Sequence, residues 1–402
     1  MSAGNAQAKL EVDKKSKKAA IYMKNDEQFW RILIRQCQQE QTGNEQPQDK
    51  GAIVRLADFL IMQAIEQRAS DLHIEPQNDT VRFRLRVDGL LQELPFHLPL
   101  NLASMLTSRL KVMANMDIAK HQQPQDGAFV FQEQGHHVEV RASSMPAYDG
   151  EVMVLRLMNL QENLMTLDEL GFTPANEQRF RELIQRPSGL IIVAGPMGSG
   201  KSTTLYAALR ELNTPDKNWL TLEDPIERHI PGVNQVQLNP KAGLDYSTGL
   251  RAALRQDAQG ILLGEIRDEE TAEMAVRMAL TGHLLLTTMH TENAVAAVFR
   301  LLEMGIPPYL LAATLSGVLA QRLVRRRSNS ETYQGRLALH ELLIADQSIR
   351  NGILKGQSRE QLETLAKAAG MKTLWDDGQE KAAAGLTSLD EVRRVYFREA
   401  VH

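Results

Sequence analysis

The chain has 402 residues, with 46 lysines and arginines against 50 acids, a formal net charge of −4 and 43% hydrophobic residues. That balance excludes a collagenous or wholly disordered chain and lacks the basic excess of a bulk nucleic-acid binder, so no nucleic-acid partner is expected. The single cysteine, Cys37, can form neither an intrachain disulfide nor a thiolate zinc site, and no apolar run approaches the roughly 20 residues that span a bilayer.

At roughly 150 residues per domain the length predicts two or three domains. Residues 1–50 read as an N-terminal extension and polar linker. They carry Lys14-Lys15-Ser16-Lys17-Lys18 with no apolar core ahead of a cleavage site, which predicts a cytoplasmic protein. A short amphipathic patch follows at Phe29, Trp30, Ile32, Leu33 and Ile34, and Gln38 to Lys50 reads as linker. From Gly51, the residues Ile53, Leu56, Ala57, Leu60, Ile61 and Ala64 recur at helical spacing. Val81, Phe83, Leu85 and Val87 alternate with Arg82, Arg84, Arg86 and Asp88, which places three arginines on one face of a strand. Similar alternation at His137 to Arg141 and Val152 to Leu157, with a helical pattern at Leu102 to Met116, predicts an α+β domain over 51–160.

Residues 161–176 read as an interdomain linker that ends where Thr173 and Pro174 open a helix as N-cap and first helical residue. Beyond it, short apolar runs at Leu190 to Ala194, Trp219 to Leu222, Ile261 to Leu263 and Leu284 to Thr287 alternate with helical segments. That texture predicts a parallel sheet with crossover helices, hence an α/β domain over 177–402. After Gln321 the pattern predicts helices, the last opened by a capping box at Ser388 and Glu391, and Arg325-Arg326-Arg327 reads as a solvated helix end.

The strongest chemical signal is Gly195-Pro196-Met197-Gly198-Ser199-Gly200-Lys201-Ser202, followed by Thr203, between a predicted strand and a predicted helix. Triphosphate binding needs many NH donors at close range, and glycines let the backbone curl toward the ligand at the positive end of a helix. Lys201 is expected to bridge the outer phosphates and Ser202 to ligate Mg²⁺. Two acidic clusters, Glu223 to Glu227 and Gly264 to Asp268, follow predicted strands, at the carboxyl edge where open parallel sheets bind ligands. Gly264 stands where an aspartate is usual, so metal binding is expected to lean on Ser202, water, Glu265 and the acidic cluster at Glu223. Asp268, Glu269 and Glu270 read instead as acids complementing a helix N-terminus. His283 and His290 bracket the last apolar run, and Met274, Met278 and Met304 read as packing residues.

These motifs in this order resemble the bacterial type II secretion and type IV pilus assembly ATPases. The likeness runs from about residue 51 to 400. It takes in Ala69 to Pro76, Arg84-Leu85-Arg86-Val87-Asp88-Gly89, Pro124-Gln125-Asp126-Gly127, the phosphate loop, both acidic clusters and the histidine box from Gly282 to Thr291. The resemblance implies a PAS-like N-terminal domain and a RecA-like P-loop ATPase domain, using ATP and Mg²⁺, in a hexameric motor. It further implies work beneath an inner-membrane platform protein, hence peripheral association with that membrane, and places the chain nearer the assembly and secretion branch than the retraction branch. By residue match, Glu223 and Glu265 would position water or metal, and His283 and His290 would sense the γ-phosphate. Arg86, Arg141 and Arg156 would neutralise charge on the transferring phosphoryl group across a domain or subunit contact, with Arg82 or Arg84 as stand-ins. The cysteine pairs that hold zinc in many members are absent, so no zinc site is expected. The short segment before Gly51 leaves docking to a cytoplasmic recruiting protein open. The rival readings are a nucleotide switch that does not hydrolyse, a retraction motor and a conjugative DNA-transfer ATPase.

Overall fold

The computed structural model describes residues 28–42, 51–133, 135–159, 164–329 and 332–397. The lysine-rich start and residues 43–50 of the expected linker lie outside the described residues. The chain divides into two units, Met1–Glu162 and Asn163–His402.

In the first unit, helix α1 spans residues 28–41. It buries Trp30, Leu33 and Cys37, and Trp30 stacks on Phe96 at 4.6 Å with its edge toward Phe83 at 5.4 Å. The linker reading of Gln38 to Gln41 is therefore corrected: glutamine is a good helix former, and the buried turn before it carries the helix on. Helix α2 (Ala52–Glu66) faces the same core with Leu56, Ala57, Leu60, Ile61 and Ala64. The strands are β1 (Asp71–Gln77), β2 (Thr80–Val87), β3 (Leu90–Glu93), β4 (Leu98–Pro99), β5 (Gln125–Glu133), β6 (His136–Ala147) and β7 (Gly150–Asn159), with α3 (Ala103–Met113) before β5. They form an antiparallel sheet in the order β3-β2-β1-β7-β6-β5, with β4 beside β2. Period-two alternation sends Leu72, Ile74, Val81, Phe83, Leu85, Val140, Met153 and Leu155 into the core and leaves the arginines on the opposite face.

The second unit starts earlier than the expected linker allows, because Leu167, Leu170 and, on α4 (Pro174–Ile184), Phe180 are buried in its core. Thr173 caps α4, accepting from the Asn176 amide at 3.4 Å. The strands are β8 (Gly189–Ala194), β9 (Trp219–Glu223), β10 (Asn234–Gln237), β11 (Gly260–Leu263), β12 (Leu284–Met289), β13 (Leu315–Arg327) and β14 (Tyr333–Ile344). Their order is β10-β9-β11-β12-β8-β13-β14, parallel throughout except for β13 against β14. Strands β8, β9, β11 and β12 are buried along their whole length, as befits a sheet covered on both faces. The helices are α5 (Lys201–Leu212), α6 (Tyr246–Ala253), α7 (Glu269–Leu280), α8 (Ala294–Glu303), α9 (Pro308–Thr314), α10 (Gln347–Leu354), α11 (Arg359–Ala368), α12 (Leu374–Ala383) and α13 (Leu389–Tyr396). Met278 and Met304 are buried and Met274 packs against them, as expected of packing residues.

Three expectations are corrected here. The chain after Gln321 is not helical: β13 and β14 form a long antiparallel pair, and helices resume only at Gln347. Leucine, alanine, glutamine and arginine favour helix locally, but pairing of β13 with both β8 and β14 overrides that preference. Arg325 is accordingly no helix end. It bonds Glu391 at 2.6 Å and lies 4.3 Å over the Tyr333 ring. Ser388 does cap α13, yet Glu391 does not complete the box, because its carboxylate accepts from Arg325 and Arg394 instead. Burial alone would raise the Glu391 pKa, but those arginine bonds pull it down to about 2. No described helix is long and apolar enough to cross a membrane.

Candidate active site

Strand β8 delivers the chain into a tight loop at Gly195, and α5 begins at Lys201. Gly195 (φ 153°) and Gly200 (φ 88°) hold backbone conformations that other residues rarely adopt. A Cβ at Gly195 would lie 2.5 Å from the Gln321 carbonyl and the Ser199 hydroxyl, and one at Gly200 would lie 2.8 Å from Gln321 Nε2. Glycine is thus the only residue type that lets the loop close against β13. Gly200 offers no side-chain cap among the described residues, which leaves the first amides of α5 as donors for an anion. Ser199 Oγ is buried and has no hydrogen-bond partner among the described residues.

Lys201 is 8% exposed and folds over the loop, Nζ donating to the carbonyls of Gly195 at 2.8 Å and Pro196 at 2.9 Å. Burial lowers its pKa to about 8; Arg322 adds to that, while Glu265 and Glu227 oppose it. Ser202 is half-buried and Thr203 exposed in the first turn of α5, Gly198 turns with φ 75°, and Met197 stands out at the loop tip.

The carboxyl ends of β9, β11, β12 and β8 share one edge, since Leu222 pairs with Leu263, Leu263 with Thr287 and Met289 with Ala194. Glu223, Glu265 and His290 therefore stand at the edge that carries the phosphate loop. Glu223 is buried and accepts from Tyr206 Oη, from Thr221 Oγ1 at 2.6 Å and from Gln235 Nε2 at 3.3 Å, so its orientation is fixed. Glu265 pairs with Arg267 and lies 3.4 Å from His290 Nε2. Burial, helped by Lys201, pushes the His290 imidazole below the usual histidine range although Glu265 pulls the other way.

Gly264 has a steric explanation. A Cβ there would meet the Tyr246 hydroxyl at 2.8 Å and the Leu222 carbonyl at 3.2 Å, so the usual aspartate would have to displace the tyrosine and crowd the carbonyl. Asp268 caps α7, accepting from the Thr271 amide at 2.8 Å, and is not a site residue. Neither is His283 brought to the site. It sits at the amino end of β12, about 20 Å along the strand from His290, with Nδ1 3.3 Å from Thr281 Oγ1 and from the Met278 carbonyl. Both histidines were expected to sense the γ-phosphate, but they flank opposite ends of one extended strand and only His290 stands at the edge of the phosphate loop.

The predicted arginines form one row on the first unit's sheet, where Arg86 pairs with Asp71, Asp71 with Arg156 and Arg156 with Arg141. Asp71, which the sequence did not single out, is 5% exposed and takes Arg86 Nε at 3.5 Å and Arg156 Nε at 3.0 Å. Arg141 leans on Glu139 at 3.4 Å. Arg82 and Arg84 are both bound to Glu75; burial alone would raise that carboxyl, but the two arginines hold it below its ordinary range. They are thereby less suited to stand in for Arg86. The contacts of Tyr206 and Gln321 were not foreseen, because what they touch is set by packing rather than by spacing. Among the described residues no group of three or more His, Cys, Asp or Glu could hold a metal ion. The oxygen donors of Ser202 and Glu265 suit a hard divalent ion that also takes phosphate oxygens.

Residues 46–394 match the family described as "Type II/IV secretion system protein". The type II secretion system ATPase E of Vibrio cholerae is 42% identical over 386 residues, covering 87% of this chain and 76% of that protein. The type IV pilus assembly ATPase PilB of Thermus thermophilus is 41% identical over 383 residues, which is 86% of this chain but only 43% of PilB. Among solved structures, the pilus retraction motor PilT with bound ADP aligns with a TM-score of 0.61 at 28% identity, covering 83% of this chain and 95% of that one. The second unit's sheet and phosphate loop agree with these likenesses, and the chain belongs to the type II/IV secretion system protein family, the family of these secretion and pilus-assembly ATPases.

Proposed function

We propose that the chain is a hexameric cytoplasmic motor that hydrolyses Mg-ATP to power assembly of a type IV pilus or type II secretion pseudopilus through an inner-membrane platform protein. The observation that carries this reading is the Lys201 loop standing on the same sheet edge as the Glu265–His290 pair. The uncapped amides of α5 hold the phosphates, and Lys201 exchanges two carbonyl partners for the anionic outer phosphates. Ser202 would hold Mg²⁺, with Glu265 reaching it through water, and the ion would neutralise phosphate charge when bound. Glu265 orients the attacking water, with Glu223 as a fixed second carboxylate, and ADP and inorganic phosphate leave. His290, neutral near pH 7, reports the state of the γ-phosphate to Glu265 through their contact.

For the first unit the strand order β2-β1-β7-β6-β5 supports a PAS-like domain. Arg86, Arg141 and Arg156 are assigned the neutralisation of phosphoryl charge that the resemblance implies. The higher identity to the secretion and assembly ATPases than to the retraction motor favours the assembly role. The test is to size the purified chain with and without a non-hydrolysable ATP analogue while measuring phosphate release. Steady release from a six-subunit species is expected. Binding of ATP with no phosphate released would make the chain a non-hydrolysing switch.

A further inference from the structure

Strand β13 places two buried polar side chains, Gln321 at 1% and Arg322 at 4% exposure, directly beside the site. Its register sets Ala320 opposite Ala194, so Gln321 runs alongside Gly195, the first residue of the phosphate loop. Gln321 Oε1 accepts from Thr204 Oγ1 at 2.7 Å, and Thr204 lies in the first turn of α5. Its Nε2 fills the space a Cβ at Gly200 would need, and its carbonyl fills that of Gly195. Gln321 thus lies against the phosphate loop at both ends, its backbone carbonyl at Gly195 and its side-chain amide at Gly200, where it also holds Thr204. Successive strand residues face opposite ways, and Arg322 reaches a different loop. Its Nη2 donates to the Glu292 carbonyl at 2.7 Å and Nη1 to the Gln321 carbonyl at 3.2 Å. Glu292 lies two residues beyond His290, and its carboxylate is held by Arg359 of α11. Just after it, the Ala294 amide donates to the buried Glu341 of β14 at 2.8 Å.

We propose that Gln321 and Arg322 are a pair of positioning residues that β13 inserts between the two halves of the active site. Gln321 sets the grip of the phosphate loop on nucleotide, and Arg322 holds the segment after β12 so that His290 stays against Glu265. The two functions are separable because the two side chains tie different loops. This inference rests on the ATPase reading above and adds residues that reading did not use. A planar guanidinium spans two carbonyls that a lysine ammonium would not bridge in the same geometry.

The test uses the full chain, with phosphate release for turnover, a fluorescent ATP analogue for binding and thermal unfolding as the control for folding. Gln321→Ala is expected to weaken nucleotide binding roughly ten-fold while kcat stays within about two-fold. Thr204→Val, which keeps the shape and removes the donor, should reproduce that loss, and the double variant should be no worse than either single one. Should Gln321→Ala fail to fold, Thr204→Val reads the same contact. Arg322→Lys is expected to lower kcat roughly ten-fold with binding within about two-fold. Unchanged binding in both Gln321→Ala and Thr204→Val, or losses of binding and turnover that move together in every variant, would overturn the proposal. A parent chain that neither binds nor hydrolyses ATP would overturn the ATPase reading itself, whereas an active parent matched by its variants would remove only this inference.

Discussion

At the phosphate loop the buried cation Lys201 rests on two neutral carbonyls, whereas on the first unit's sheet Asp71 and Glu75 are already bound to Arg86, Arg156, Arg82 and Arg84. The contrast separates two uses of positive charge. Where carboxylates match the arginines, much of the charge is committed to ion pairs between neighbouring strands, and Arg156 and Arg86 are more exposed than Arg82 and Arg84. Where backbone carbonyls support a lysine, the charge stays available to an incoming phosphate, at the cost of a depressed pKa.

The comparison breaks most visibly if Lys201 is dispensable. Lys201→Ala is expected to cut phosphate release by roughly a hundred-fold or more, about 3 kcal/mol, with thermal unfolding little changed. Activity near the parent's would show that the loop does not use its cation.

Next in size is the steric claim at Gly264. Gly264→Asp should destabilise the second unit by about 2 kcal/mol, because its Cβ must displace the Tyr246 hydroxyl or the Leu222 carbonyl. A stable variant in denaturant unfolding would mean that something other than space excludes the acid.

On the first unit, Asp71→Asn removes the charge shared by Arg86 and Arg156. Asp71 is buried but its partners are partly solvated, so a loss of about 1–2 kcal/mol in urea unfolding is expected. A neutral outcome would place that row's arginines outside the fold's ion pairing.

The smallest effect is a pH dependence. Burial holds Lys201 at a pKa of about 8, so if its protonated form binds triphosphate as proposed, affinity holds below that pH and falls as pH rises through it. Between pH 7 and 9 the dissociation constant should rise roughly ten-fold, and Lys201→Arg should flatten the curve. A flat profile in the parent would contradict the buried setting of Lys201.

Features fixed by local backbone chemistry were legible in the sequence. The glycine spacing at 195, 198 and 200, the cap at Thr173 and the apolar runs of β8 and β11 follow from turn, cap and burial rules that need no tertiary knowledge. The arginine alternation on β2 was equally plain, but its carboxylate partners lie on β1 and became visible only through strand register. Long-range pairing hid the rest. β13 and β14 consist largely of helix-favouring residues, and their strand state comes from β8 and from each other. His283 and His290 looked equivalent in spacing, although a parallel strand places one at each end and only the carboxyl end meets the phosphate loop. What Gln321 and Arg322 hold was not legible from spacing, since it depends on which loops border β13.

The central claim is that Glu265, held beside His290 at the edge that carries the phosphate loop, turns nucleotide binding into hydrolysis. The most direct test measures both steps in Glu265→Gln, which keeps the side chain's shape and removes its charge. Nucleotide affinity is predicted to stay within about three-fold of the parent while phosphate release falls by roughly a hundred-fold or more. Hydrolysis at the parent's rate in that variant would contradict the account.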